Sequence, residues 1–158
     1  MSQQIKVGVI ISDKQKRILL LKEKKNKNSL PLWNMVKGSY GDINPETILA
    51  AAQRECQEEA GVEVKLTGLL GVYVSQEKAE LRAQFTFLAK IKNGIPKLAP
   101  ADEQLSRQEY ITELKWFTVA EIKKMKTSEF ISQRTYAMIK DWLNNKSYPL
   151  ESIKQTKM

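Results

Sequence analysis

The chain has 158 residues, the length of one domain or of one domain with an appended helix. Hydrophobic residues make up 42% and charged residues 28%, a mixture that excludes a disordered chain. There are 26 Lys and Arg against 18 Asp and Glu, a net charge of +8, and no histidine, so histidine triads, histidine zinc sites and histidine acid–base catalysis are excluded. Any chemistry has to run on carboxylates, lysines, hydroxyls or bound ions. Cys56 is the one cysteine, which excludes an intrachain disulfide and a thiolate zinc cluster and fits a reducing compartment. The first residues lack the apolar run of a signal peptide, and no stretch approaches the roughly 20 apolar residues of a membrane span. The expectation is a cytoplasmic protein with no membrane partner. The positive balance has two explanations: solubility, or a polyanionic ligand such as a nucleotide, a phosphate ester or nucleic acid.

In chain order, residues 5–11 alternate Ile5, Val7, Val9 and Ile11 against Lys6, Gly8 and Ile10, the pattern of a strand. A polar turn over 13–16 leads to a second, buried strand at 18–21. Residues 22–31 read as a loop. Residues 32–36 read as a short strand that leads to Gly38, and 38–44 as a glycine-bearing loop. Asn44 followed by Pro45 predicts an N-cap and first helical residue, with a helix from Pro45 to Ala60 stopped by Gly61. Residues 62–74 give one or two strands. The clearest strand is 80–92, with Leu81, Ala83, Phe85, Phe87, Ala89 and Ile91 on one face and Arg82, Gln84, Thr86 and Lys90 on the other. Asn93-Gly94 ends it as a turn. Residues 95–109 read as a polar loop, 113–117 as a strand, and 118–125 and 128–144 as helices. The second of these helices turns Ile131, Met138, Ile139 and Trp142 to one apolar face. A loose Lys-rich tail follows. The order predicts a mixed α/β domain over residues 1–145 and a tail over 146–158.

The informative segment is Arg54-Glu55-Cys56-Gln57-Glu58-Glu59-Ala60-Gly61-Val62. Glu55, Glu58 and Glu59 fall at i, i+3 and i+4, on neighbouring positions of one helix face. Three like charges so close weaken a helix unless a cation neutralises them. Oxygen donors suit Mg²⁺ or Mn²⁺. Arg54 lies four residues before Glu58 and can pair with it or orient it. The competing explanation is a solvated charged face with surface ion pairs.

The same residues resemble the Nudix hydrolase signature, G-x5-E-x7-R-E-U-x-E-E-x-G-U with U aliphatic. Glu46, seven intervening residues and then Arg54 to Val62 match its second part. An N-terminal strand pair, a Trp-containing strand entering Lys37-Gly38, and Glu113-Leu114-Lys115-Trp116-Phe117 before a helix extend the likeness. It implies an α/β/α sandwich with a mixed sheet, the box helix on the sheet and helices near the C-terminus. Three departures stand out. Gly38 is two residues further from Glu46 than the pattern specifies. The Asn44-Pro45 start draws Glu46 into the first helical turn, so that Asp42 could take the loop-acid role. Cys56 takes an aliphatic position, where a thiol packs as a small hydrophobe.

The resemblance implies hydrolysis of a diphosphate linkage in a nucleoside diphosphate joined to another group. Glu55, Glu58 and Glu59 would hold Mg²⁺ or Mn²⁺, with the backbone carbonyl of Lys37 as an added ligand. Arg54 would orient a glutamate, and Gly38, Glu46 and Gly61 would shape the box. A downstream acid often assists in this family; Glu103, Glu109 and Glu113 are the candidates, and Glu113 joins Glu55, Glu58 and Arg54 in the expected catalytic set. Arg82 and Lys37 are candidate phosphate contacts. Tyr40, Tyr73 and Phe130 are candidates to stack on a base. The proline that marks many ADP-ribose-type members is missing after the box, and what remains is a general nucleotide-like diphosphate substrate. Alternatives are an RNA 5′-end pyrophosphohydrolase and a non-catalytic nucleotide- or RNA-binding module. A homodimer is allowed, since many relatives dimerise.

Overall fold

The computed structural model describes residues 1–43 and 45–157. Its elements are β1 (Ser2–Ile11), β2 (Ile18–Glu23), β3 (Leu32–Asn34), β4 (Val36–Ser39), α1 (Ile48–Ala60), β5 (Glu63–Glu77), β6 (Glu80–Asn93), α2 (Ala101–Ser106), β7 (Ile111–Phe117), α3 (Val119–Lys124) and α4 (Gln133–Leu143). β1 pairs in parallel with β6 and antiparallel with β4. β5 adds antiparallel to β6, giving a mixed sheet of order β4-β1-β6-β5. A second, antiparallel sheet runs β3-β2-β7.

The expected alternation explains the layers. Val7, Val9 and Ile11 of β1, with Leu19 and Leu21 of β2, meet Ala51, Ala52 and Cys56 of α1. Ile10, Ile18 and Leu20 point the other way, into a second cluster with Ile122 of α3 and Met138 and Ile139 of α4. Strands covered on both faces read as near-continuous apolar runs, as these do. The result is the expected α/β/α arrangement. Among the described residues no helix is long and apolar enough to cross a membrane.

Several local expectations are corrected. The strand over 32–36 is two strands in different sheets, because Asn34 Oδ1 accepts the Met35 N–H at 2.8 Å and takes it out of the ladder. Gly38 lies inside β4 rather than at the start of a loop. α1 starts at Ile48, not Pro45. Thr47 is its cap, with Oγ1 accepting from Ala50 N at 3.1 Å. Asn44, expected as the cap, lies outside the described residues. The end is as expected: Gly61 is left-handed, φ +66°, and its N–H bonds the Gln57 carbonyl at 3.0 Å. The 95–109 loop contains α2, whose first turn carries Asp102 and Glu103, favourable at a helix N-terminus.

The helix expected over 128–144 is broken. Phe130 and Ile131 are extended or irregular; Ile131 N donates to the Trp33 carbonyl at 2.9 Å, and α4 begins only after Ser132 caps Thr135 N. After that break α4 packs against β5 and sets Met138 over Gln84 and Thr86 of β6. Gln84 and Thr86, expected on a polar face, are therefore buried, and both donate to Met138 Sδ at 3.3 Å.

The segment expected as a loose tail is tied down. Leu69 and Tyr148 exchange backbone hydrogen bonds of 2.8 and 2.7 Å, and Leu150 and Ile153 pack on the α1-side core. Gln155 Oε1 accepts the Ile48 N–H at 3.0 Å, filling one of the donors left open at the start of α1. Its Nε2 donates to Tyr40 Oη at 2.8 Å. Deleting the chain from Tyr148 onward is expected to lower the unfolding free energy by about 3 kcal/mol, from two part-buried aliphatic side chains and the four hydrogen bonds of Tyr148 and Gln155. Urea unfolding measures it; an unchanged midpoint would show that these contacts contribute nothing.

Candidate active site

The last turns of α1 carry Arg54, Glu55, Glu58 and Glu59, and β4 runs beside them. Cys56, beside them on the core-facing side of the helix, is fully buried, and burial pushes its thiol pKa up, so it is a packing residue. Glu55 and Glu59 are themselves buried, 6% and 5% exposed. Glu55 can be buried only because residue 38 is glycine. A Cβ there would sit 1.9 Å from the Glu55 carboxyl carbon, closer than atoms can approach. Glu59 Oε1 accepts the Lys37 N–H at 2.9 Å, which anchors α1 to β4.

Arg54 organises the rest. Its Nε and one terminal nitrogen donate to the two Glu46 oxygens at 2.8 and 3.1 Å. The other terminal nitrogen donates to Glu55 Oε1 at 2.8 Å and reaches Glu58 at 3.4 Å. The Ser39 carbonyl accepts a further bond at 3.1 Å. Because α1 starts late, Glu46 precedes the helix and is free to grip Arg54; Asp42 lines the same cleft.

Burial raises the Glu55 pKa to about 7, helped by the Glu58 carboxylate and opposed by Arg54. Glu59 is pushed up as well, by burial and then by Glu23 and Glu55. Negative charge is thus packed more densely than Arg54 alone can neutralise.

The acid-rich cleft has a volume of about 340 Å³. Lys37, Gly38, Arg54, Glu55, Glu58 and Glu59 all line it. Of the three downstream acids only Glu109 does. Arg107 holds Glu109 through Oε1 and also donates to the Glu58 carbonyl at 3.1 Å. Glu109 Oε2 is buried with no protein partner among the described residues. Glu113, expected in the catalytic set, is exposed on β7 opposite Lys22 and does not line the cleft. Glu103 is exposed as well.

The aromatic expectations fare differently from the acids. Tyr40 packs on the core, Tyr73 Oη donates to Asp141 at 2.6 Å, and Phe130 is buried beside Tyr136. None of the three lines the cleft. Arg82 lies in an adjoining cleft, which shares Lys37, Gly38 and Glu109 with the first.

Glu23 was not anticipated. It ends β2, lines that adjoining cleft and accepts from Asn34 Nδ2 at 2.7 Å. Burial raises its pKa. Continuing the apolar run 18–21 by two strand positions would have pointed to it.

Gly38→Ala is expected to fold, because the clash is with the mobile end of a side chain, and to displace the Glu55 carboxylate. Thermal unfolding and turnover check this; wild-type turnover in the folded variant would contradict the role of Gly38.

The family model described as the NUDIX domain matches residues 2–138. Among solved structures, a NUDIX hydrolase from Nitrosomonas europaea is 23% identical with a TM-score of 0.79, and the match covers 98% of each chain. A MutT NUDIX hydrolase from Burkholderia pseudomallei is 22% identical with a TM-score of 0.69, covering 89% of this chain and 98% of that one. The NUDIX domain of Shewanella oneidensis NrtR, complexed with ADP ribose, is 16% identical with a TM-score of 0.66, covering 92% of this chain and 89% of that one. No curated protein matches the sequence significantly. These structures share the fold, and the family match spans most of the sequence from β1 into α4: the chain belongs to the Nudix family and is a Nudix-type hydrolase.

Proposed function

We propose that the chain hydrolyses a diphosphate linkage in a nucleoside diphosphate joined to another group, at the acid-rich cleft on α1. The observation that carries this reading is the burial of Glu55 and Glu59 against β4 beside an unpartnered Glu109 oxygen. An all-oxygen donor set of this kind suits a hard divalent cation, Mg²⁺ or Mn²⁺. Among the described residues no three acids converge to hold an ion as they stand. The reason is physical: Arg54 draws Glu55 and Glu58 toward itself, and Arg107 does the same to Glu109. A divalent ion would compete with those guanidiniums for the same oxygens.

Glu55, Glu58 and Glu59 would hold the ion, with the Lys37 carbonyl and Glu109 as further oxygen donors. Bound there, it supplies positive charge to the phosphates and makes water more acidic. The side chains do the rest. Arg54 fixes the rotamers of Glu55 and Glu58. Glu58, part-exposed at the cleft, accepts a proton from the attacking water as an oxygen–phosphorus bond forms and the anhydride bond breaks. Glu109, rather than Glu113, is the downstream acid placed to assist. Lys37 and Arg82 face the phosphates. A cytoplasmic setting belongs to the same proposal, supported by a single thiol that is buried and unpaired.

A panel of nucleotides, nucleotide sugars and 5′-triphosphorylated RNA, with and without Mg²⁺, tests the reading. Hydrolysis confined to RNA would shift the assignment to RNA 5′ ends; salt-sensitive RNA binding with no hydrolysis would replace it with a binding module. Light scattering of the same preparation decides between a monomer and the homodimer that the family resemblance allows. Glu58→Gln and Glu59→Gln are each expected to lower turnover by about 10²–10⁴-fold. Neither should lower the unfolding temperature much: at 59 Gln keeps an acceptor for the Lys37 N–H and removes a buried charge, and at 58 the side chain is part-exposed with only a long bond to Arg54. Wild-type activity in both would remove the site from contention.

The raised Glu55 pKa has a stability consequence with a definite sign. The folded state binds this proton more tightly than the unfolded chain, so its stabilising share is full below about 4.5 and is lost as pH rises through about 7. In EDTA the unfolding temperature is expected to fall more steeply across that window for the wild type than for Glu55→Gln. Saturating Mg²⁺ should remove the difference. Identical pH profiles in EDTA would contradict a strained Glu55.

A further inference from the structure

Beside the acid-rich cleft lies a second one of about 620 Å³ with the opposite charge. Lys6 from β1, Lys37 from β4, Arg82 from β6 and Arg134 from α4 all line it, together with Lys24 and Lys25; the acids there are Glu23 and Glu109. The cleft then continues, through the shared Arg82 and Arg134, into a third of about 550 Å³ at the β5–β6 turn, where Lys78 adds a cation and Glu77 and Glu80 bring two carboxylates. Four separate elements therefore bring cations to one channel that leads away from the α1 carboxylates.

These cations are poorly neutralised. Among the described residues Lys6, Lys37 and Arg134 form no ion pair. Lys6 donates to Ser39 Oγ at 2.7 Å, and Arg134 makes one long bond to Ser75 Oγ at 3.4 Å. Arg82 is paired with Glu80 at 2.8 Å, yet its Nε–H is buried without a partner. Burial lowers the pKa of Lys6 and Arg134, and the Arg82 charge lowers both further, against Asp42, Glu55 and Glu80 around Lys6 and Glu80 and Glu77 around Arg134. A donor buried without a partner costs free energy, and like charges crowded in a cleft add to the cost. An anion in the channel would relieve both.

We propose that this channel is a polyphosphate subsite, and that the preferred substrate carries at least one phosphate beyond the diphosphate held at α1. The proposal rests on the reading of the α1 cleft as the hydrolytic site. A diphosphate at the acids can reach Lys37, which lines both clefts, while Arg82 and Arg134 stand at the far junction. A neutral sugar lying in the channel would leave the Arg134 guanidinium without a counter-charge and the Arg82 Nε–H without a partner, which discriminates against it. The amino end of α4, opening on the channel at Ser132, adds favourable dipole for an anion.

The test separates binding from turnover. Inorganic tripolyphosphate is titrated into the metal-free protein in EDTA by calorimetry, with orthophosphate as the short probe. Arg82→Ala/Arg134→Ala is expected to weaken tripolyphosphate binding by at least about tenfold, the loss of two charge-assisted contacts. Lys123→Ala/Lys124→Ala, which removes the same charge from exposed positions on α3, should change it less than about twofold. Arg134→Ala alone serves if the double variant does not fold, since that side chain makes only its long bond to Ser75. Equal losses in the channel and α3 variants would overturn the subsite, as would orthophosphate binding as tightly as tripolyphosphate. Glu58→Gln should retain tripolyphosphate affinity while losing turnover. In Mg²⁺ Arg134→Ala should raise KM for a nucleoside triphosphate and leave KM for a nucleoside diphosphate hexose unchanged. Equal KM effects on the two would overturn the specificity claim. If the wild type hydrolyses neither substrate, the hydrolytic reading fails, and the calorimetric comparison alone still decides the subsite.

Discussion

One guanidinium holds the acid-rich end of α1 together. Arg54 makes bonds to Glu46 before the helix, to Glu55 and Glu58 within it, and to the Ser39 carbonyl at the end of β4. Without that cation the helix would carry unrelieved repulsion at i, i+3 and i+4, and Glu55 could not remain buried against Gly38 as a charged group. With it, Glu55 still favours its proton more than a free carboxyl does. The balance leaves the cluster under-neutralised, a condition suited to binding one more cation. The late helix start belongs to the same arrangement: ending the loop at Thr47 leaves Glu46 outside α1, where both of its oxygens face Arg54.

The net charge of +8 is therefore an average over unlike neighbours. α1 gathers carboxylates, while β1, β4, β6 and α4 gather cations a few residues away around Lys37 and Gly38. Solubility would be served by charges spread over the surface. Part-buried cations facing one another across a cleft cost stability, and their arrangement follows the needs of an anionic ligand better than those of solvation. The absence of histidine is consistent with a site that divides its work between glutamates and cations.

What the sequence revealed about the site was what one helix contains. Spacing along α1 places Glu55, Glu58 and Glu59 together because 3.6-residue periodicity is local, and Gly61 ends the helix for a reason intrinsic to glycine. The hidden part was assembled across the sheets. Glu23 reaches the cleft because β2 runs two residues beyond its apolar run. Glu109 reaches it because α2 forms inside a stretch whose two prolines suggested loop, and turns Arg107 and Glu109 toward α1. Glu113 sits on an alternating strand, and alternation alone does not say which face looks at the helix. The layered α/β fold was legible because both faces of β1 and β2 are apolar; the partition into two sheets depended on one side-chain hydrogen bond at Asn34.

The break at Phe130 and Ile131 links core and site. A continuous helix over 128–144 would have left Ile131 on a helical face and the amino end of α4 elsewhere. Instead Ile131 bonds to the Trp33 carbonyl, Phe130 enters the core, and Ser132 restarts the helix at the rim of the basic channel. The same geometry sets Met138 over Gln84 and Thr86 and brings Arg134 into the cleft that Arg82 lines. Packing on the covered face of β6 thus helps to fix where a channel cation stands, because Met138 and Arg134 lie four residues apart on α4.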